Sequence, residues 1–218
     1  MTENDGLLLS ILIPTLESRS SLCDRLRCHL ERQVKQNNAE KMVEILTLCD
    51  DGSATVGSKR NQLMAMARGR FVVYVDDDDS VSDDYVGQIT RAIKANPDAD
   101  CIGFAAEITF RGKHPRSMVH STRYKDWRHC DGKYVRPPCH ITPIRRSIAA
   151  RYAFADIDYA EDMDWTLRMS RDEAIRREFT LDSTLYFYDC RRYYAVQWVL
   201  DRSQPLRHAL GLRFVRSR

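Results

Sequence analysis

The 218-residue sequence has no Cys-x-x-Cys pair and no long apolar run. Its cysteines, Cys23, Cys28, Cys49, Cys101, Cys130, Cys139 and Cys190, are odd in number and scattered. That argues against a disulfide framework and for reduced thiols. His129-Cys130 and Cys139-His140 offer nominal zinc ligands, but the eight-residue gap between them and the adjacent-ligand geometry match no common zinc spacing. The apolar stretch 7–13 is too short to cross a bilayer, so no transmembrane segment is expected. Met1-Thr2-Glu3-Asn4-Asp5 lacks the basic flank of a signal peptide, and a cytoplasmic location is expected. Internal repeats, low-complexity segments and linker-like stretches are absent. The loop Pro14-Thr15-Leu16-Glu17-Ser18-Arg19 holds no glycine, which counts against the phosphate loop of a nucleotidyltransferase.

Charge is present but unevenly placed. The formal net charge is +3, modest for a nucleic-acid-binding enzyme. After Asp189 the chain carries Arg191, Arg192, Arg202, Arg207, Arg213, Arg216 and Arg218 against Asp201 alone. The most informative point lies earlier. Asp76-Asp77-Asp78-Asp79 directly follows the apolar run Phe71-Val72-Val73-Tyr74-Val75. The run reads as a buried strand. Carboxylates concentrated at its end need a cation or protons, and hard oxygen ligands suit Mg²⁺ or Mn²⁺, which bind phosphates in turn.

The length suits one sizeable α/β domain. Strands are expected over 7–13, stopped by Pro14, and over 42–48, 71–75 and 100–105. Helices are expected along Leu22, Leu26, Leu30 and Val34, over 59–68 with Gly69 as a C-terminal cap, and from Ser82-Asp83-Asp84 to Asn96-Pro97. This alternation predicts a mostly parallel sheet covered by helices. The second half reads as mixed: irregular or antiparallel strands over 107–122, helices over 142–152 and 162–171, a strand over 179–188 and a final helix from about 195.

Three acidic sites line up. Asp50-Asp51 ends the second strand, the aspartate run ends the third, and Glu161-Asp162 opens a later helix. Each alone is an ordinary turn or helix start. In order, with the segments between them, they resemble family 2 glycosyltransferases of the GT-A fold. The resemblance covers Ser10-Ile11-Leu12-Ile13-Pro14-Thr15, Cys49-Asp50-Asp51-Gly52-Ser53, Gly57-Ser58-Lys59-Arg60-Asn61, the D-x-D-like Asp76-Asp77-Asp78-Asp79, and Tyr159-Ala160-Glu161-Asp162-Met163-Asp164-Trp165. His140-Ile141-Thr142-Pro143-Ile144-Arg145-Arg146 is similar to small, often phage-encoded members.

The resemblance implies a single α/β, GT-A (Rossmann-like) domain over 1–218. A nucleotide-sugar-binding half spans 1–106, and a mixed acceptor half spans 107–218. It implies metal-dependent, inverting transfer of a sugar from a nucleotide-diphosphate donor, by default a UDP-sugar, to an acceptor hydroxyl. Thr15 and Asp50 would hold the base, with Arg60 nearby. Asp76 would meet the ribose or the metal's water shell, Asp77 would lie in the donor site, and Asp78 would ligate Mn²⁺ or Mg²⁺. Asp79 would cap the turn or support the ligand. Asp162 would be the general base, with Glu161 orienting it or binding acceptor. His140 would serve the acceptor side or a turn, and Trp165 would stack on a sugar or simply pack. Relatives carry a histidine between two tyrosines in the late strand. Here the segment reads Tyr186-Phe187-Tyr188, so Asp189, His208 or water would have to complete the metal shell. A glycan acceptor is favoured, with hydroxymethylated DNA as the alternative through the arginine-rich tail. Other classes are a nucleotidyltransferase and a non-catalytic nucleotide-sugar-binding protein.

Overall fold

A computed structural model describes residues 6–130 and 132–190. The expected final helix, His208 and the arginine-rich tail lie outside the described residues. The first half alternates strand and helix: β1 (Leu9–Leu16), α1 (Ser20–Gln36), β2 (Val43–Asp50), α2 (Val56–Met66), β3 (Phe71–Tyr74), the short β4 (Ser80–Val81) and α3 (Tyr85–Ala95). Then come β5 (Cys101–Phe110), β6 (Lys113–His120), β7 (Arg128–Cys130), β8 (Lys133–Arg136), β9 (Ile144–Arg145), α4 (Arg146–Ala149), α5 (Glu161–Arg171) and β10 (Glu178–Cys190).

The strands form one sheet in the order β2-β1-β3-β9-β5-β6-β8-β7, with β10 pairing β5 and β4. β1 is parallel to both β2 and β3, and β10 is parallel to β5. β6 and β9 run antiparallel to β5. The sheet is therefore parallel in the first half and mixed beyond it.

Side chains on the central strands alternate between two cores, as a sheet covered on both faces requires. Leu9, Ile11 and Ile13 of β1, with Phe71, Val73 and Val75, pack against Leu26 and Leu30 of α1 and Ile89 and Ile93 of α3. Leu12, Val72 and Tyr74 face the other way, onto Leu63 of α2, Ile148 of α4 and Trp165 and Met169 of α5.

Pro14 does not stop β1, which runs on to Leu16 beside β2. Leu12 turns its carbonyl towards the β3 side, where it accepts from Val75. Pro14 has the same parity, so its missing N–H faces that side, beyond Tyr74, where the β3 ladder has ended. Gly69 is not the cap of α2. That position is Ala67, and a Cβ on Gly69 would lie 2.5 Å from the Ser10 backbone nitrogen. The glycine is there to let β1 approach. The helix expected over 142–152 is mostly sheet and turn: Ile144 and Arg145 pair with Val72 and Phe71 of β3, leaving only the four-residue α4. Tertiary pairing overrides helical periodicity there.

Beside the strand pairing, the halves also meet at Gly57. A Cβ there would meet the Ala155 carbonyl oxygen at 1.9 Å, and the Gly57 N–H donates to the Ile157 carbonyl. Thr55 and the Val56 N–H bond Asp156 and Asp158 respectively. The segment leading into α5 is thereby pressed onto the start of α2, which brings Glu161 and Asp162 beside Arg60.

Candidate active site

β1, β2 and β3 end on one rim of the sheet. Leu16 is in register with Asp50, and Val75, just past β3, donates to Leu12. Thr15, Asp50 and residues 76–79 therefore share an edge at the carboxyl ends of parallel strands, where open α/β sheets bind ligands.

Asp50 is held by a residue that sequence reading left without a role. Lys59, only 4 % exposed, places its Nζ 2.6 Å from Asp50 Oδ1 and donates to the Thr15 carbonyl at 3.0 Å. The Asp50 Oδ2 accepts from the Ala54 N–H at 2.8 Å. The lysine and this N–H hold the Asp50 carboxyl below the usual carboxylate range. Thr15 is buried, and its hydroxyl donates to Asp77 Oδ2 at 2.5 Å. In this state it positions a carboxylate rather than presenting its hydroxyl to a base.

Arg60 is the centre of the site. It is 3 % exposed. Its Nη2 donates to Asp76 Oδ1 at 2.9 Å and its Nε to Glu161 Oε1 at 3.1 Å. The guanidinium lies 5.1 Å from the Tyr74 ring centroid and 5.8 Å from that of Phe154. One buried cation thus ties the end of β3 to the start of α5. Burial works against the charge on Asp76, but Arg60 and His140 more than offset it and keep the carboxyl ionised. Burial and the neighbouring Asp162 push Glu161 the other way.

His140 lies between the two expected functional carboxylates. Its Nε2 is 3.5 Å from Asp76 Oδ2 and its Nδ1 is 3.2 Å from Asp162 Oδ2. Its carbonyl accepts from the Tyr74 N–H at 2.9 Å, which pins it beside β3. Arg136 Nη2 also donates to Asp162 Oδ2, at 3.2 Å, with its guanidinium 3.6 Å over the Trp127 ring. Burial alone would raise the Asp162 carboxyl; His140, Arg136 and Arg60 together hold it well below the ordinary range. A carboxylate with a lowered pKa stays ionised until the pH falls through that lowered value. Arg136→Gln removes one of the charges that lower it. The acid limb of the turnover profile should therefore move to higher pH, with the plateau near neutrality retained. A kcat–pH series on both proteins measures this.

The aspartate run divides its work. Asp77 is buried, and both its oxygens are taken, by Thr15 and by Arg19 Nη2 at 2.7 Å. It shapes the loop and does not offer an oxygen to a donor in this state. Asp78 is 41 % exposed and pairs with Arg19. Asp79 accepts from the Tyr186 hydroxyl at 2.5 Å, and that hydroxyl accepts from the Asp76 N–H at 3.3 Å. Burial and Asp76 raise the Asp79 carboxyl. Tyr186 thereby braces the turn from Asp76 to Asp79.

Mg²⁺ and Mn²⁺ bind through one or two carboxylates plus substrate phosphates and waters, not through all-protein cages. The carboxylate oxygens at this rim are of that kind, with Asp78 more exposed than Asp76 or Asp77. Among the described residues, no group of three or more His, Cys, Asp or Glu could enclose an ion. The residues therefore fit a metal that arrives with a diphosphate. Asp189 is engaged at the β5–β6 turn: its Oδ1 accepts from Thr109 Oγ1 at 2.7 Å and from the Gly112 N–H at 2.8 Å.

Trp165 is not placed to stack on a sugar. It is 1 % exposed, lies stacked on Phe154 at 4.6 Å, and donates its indole N–H to the Tyr152 carbonyl. It belongs to the core behind the site. The residues sequence reading missed, Arg19, Lys59, Arg136 and Tyr186, all serve acidic partners. The basic pair Lys59-Arg60, following the Asp50-Asp51 turn, was the available signal for one of them.

Residues 50–153 match the model for glycosyl transferase family 2. That stretch is similar to glycosyl transferase family 2, and the fold is GT-A. The matched span takes in Asp50, Arg60, the aspartate run and His140 and ends before Glu161. S. aureus TarS 1–349 in complex with UDP-GlcNAc is similar in structure, with a TM-score of 0.57 and 16 % identity over 85 % of this chain and 59 % of that one. Mannosyl-3-phosphoglycerate synthase from Rubrobacter xylanophilus gives 0.56 and 12 %, over 96 % and 77 % of the chains. The catalytic domain of Drosophila β1,4-galactosyltransferase 7 in complex with xylobiose gives 0.52 and 13 %, over 86 % and 73 %. At these identities the likeness is one of fold, and the chain spans about three-fifths (59 %) of the TarS chain. No curated protein sequence matches it. Among the described residues, no helix is long and apolar enough to cross a membrane.

Proposed function

We propose that this glycosyltransferase moves a sugar from a nucleotide-diphosphate donor, a UDP-sugar first among them, to an acceptor hydroxyl in one inverting displacement. The observation that carries this is the placement of Asp76 and Asp162 against opposite nitrogens of His140. Donor-end and acceptor-end carboxylates thus share one imidazole. Residues 1–106 form the donor half and 107–218 the acceptor half. Asp78, with Asp76, would hold a divalent ion, which when bound would supply positive charge to the departing diphosphate. Asp162 has both of its ionic partners on Oδ2, so Oδ1 takes the acceptor proton. As that proton leaves, the acceptor oxygen bonds the anomeric carbon and the bond to the diphosphate oxygen breaks. Arg60 keeps Asp76 and Glu161 in place throughout. A saccharide acceptor is the favoured reading. DNA has no observation on its side, since the arginines proposed to hold it lie beyond residue 190.

The test is a donor screen with Mn²⁺ or Mg²⁺, read as release of free nucleoside diphosphate. Release should require a divalent ion and should be abolished in Asp78→Ala, which also weakens metal-dependent donor binding. Unchanged donor affinity in Asp78→Ala would sink the metal assignment.

A further inference from the structure

Arg19 ends a short 3-10 turn, Glu17–Arg19, that directly follows β1. It reaches across the rim to the aspartate run. Its Nη2 is 2.7 Å from Asp77 Oδ1 and also contacts Asp78 Oδ2. Asp77 is fixed from its other oxygen by Thr15, so the position of this contact is set by the end of β1. The arginine side chain itself is 35 % exposed, free to turn outward. It therefore covers one oxygen of Asp78, which at 41 % is more exposed than Asp76 at 30 % or Asp77 at 2 %. A guanidinium and a divalent ion cannot share that oxygen without strong repulsion. A guanidinium does match the paired oxygens of a phosphate.

We propose that Arg19 is a donor-responsive clasp. Without donor it neutralises Asp77 and Asp78 and keeps free metal off Asp78. When diphosphate and ion arrive together it releases the carboxylate and turns to the diphosphate oxygens. Metal and nucleotide then favour each other's binding, and part of that coupling runs through Arg19. This rests on the reading that Asp78 takes the ion, and it adds a positioning residue that neither the aspartate run nor the base supplies.

Mn²⁺ titrations followed by electron paramagnetic resonance, with and without UDP, test it on wild type, Arg19→Ala and Arg19→Lys. Without UDP, Arg19→Ala should bind Mn²⁺ about tenfold tighter than wild type, since a repelling unit charge a few ångströms away is gone. With Mn²⁺ present, the same variant should bind UDP more weakly. The tightening of Mn²⁺ binding caused by UDP should shrink accordingly. Arg19→Lys, which keeps the charge, should return towards wild type. A merely structural role would lower the melting temperature and leave free-Mn²⁺ affinity where it was. Wild-type Mn²⁺ affinity in Arg19→Ala, with UDP–Mn²⁺ binding intact, overturns the clasp and leaves the donor site standing. Absence of any Mn²⁺-dependent UDP binding in wild type overturns both.

Discussion

Asp162→Asn is expected to lose roughly 10²–10⁴ in turnover, the usual cost of removing a general base, while binding donor almost as well as wild type. The substitution keeps the shape of the side chain, and an amide oxygen can still accept from Arg136. What it cannot do is take a proton. The separation of effects follows from position. Asp162 contacts His140 and Arg136, whereas the expected donor contacts gather at Asp50 and the aspartate run. Single-turnover transfer beside a calorimetric donor titration would show the split. Full turnover in Asp162→Asn would place the base elsewhere, with Glu161 and then Asp164 next in line.

Arg60→Met should be the most damaging single change to stability. The methionine approximates the volume of the arginine stem beside Tyr74 and Phe154. It leaves Asp76 and Glu161 facing each other without their shared cation. Breaking a buried pair by removing one partner costs about 3–5 kcal/mol, and here the orphaned groups are two carboxylates. For a chain of this size that corresponds to a fall in melting temperature on the order of 10 °C. The sign of its pH dependence follows from Glu161, whose carboxyl is already raised by burial and by Asp162. Without Arg60 it protonates still more readily, so the deficit should narrow as the pH is lowered. Melting curves at neutral and mildly acidic pH would test this. A wild-type melting temperature for Arg60→Met would show that the pair contributes nothing net.

The parts of the fold visible in the sequence were those with local signatures. An apolar run closed by acids reads as a strand ending at a rim, and the periodicity of Leu26, Leu30 and Val34 reads as a helix face. β9 was not visible because two residues, Ile144 and Arg145, become strand only when β3 and β5 lie on either side of them. Pro14 misled for a similar reason: whether a proline ends a strand depends on which neighbour its missing N–H faces. In the site, the carboxylates stood out in the sequence because they cluster. Their cations did not, because Arg19, Lys59 and Arg136 come from three separate elements and meet the acids only in the folded chain. Trp165 was ambiguous on its own, since stacking on a sugar and stacking on Phe154 call for the same residue type. The tertiary structure decided it.

The bond between Arg60 and Glu161 also bears on when the protein can fold. The two residues are 101 positions apart, and β5 gains its parallel partner β10 only from Glu178 onward. A chain emerging from the ribosome thus makes its aspartate run long before the tyrosine, histidine and helix that brace it. Until then the first half holds a sheet with an open edge, and Arg60 has only Asp76 of its two carboxylate partners. Contacts so distant in sequence are reached only after costly loop closure, and the barrier to folding is concentrated there. Exposed strand edges in such intermediates are where aggregation begins. A chain cut short before β10 would therefore be most vulnerable to self-association through the unpaired side of β5.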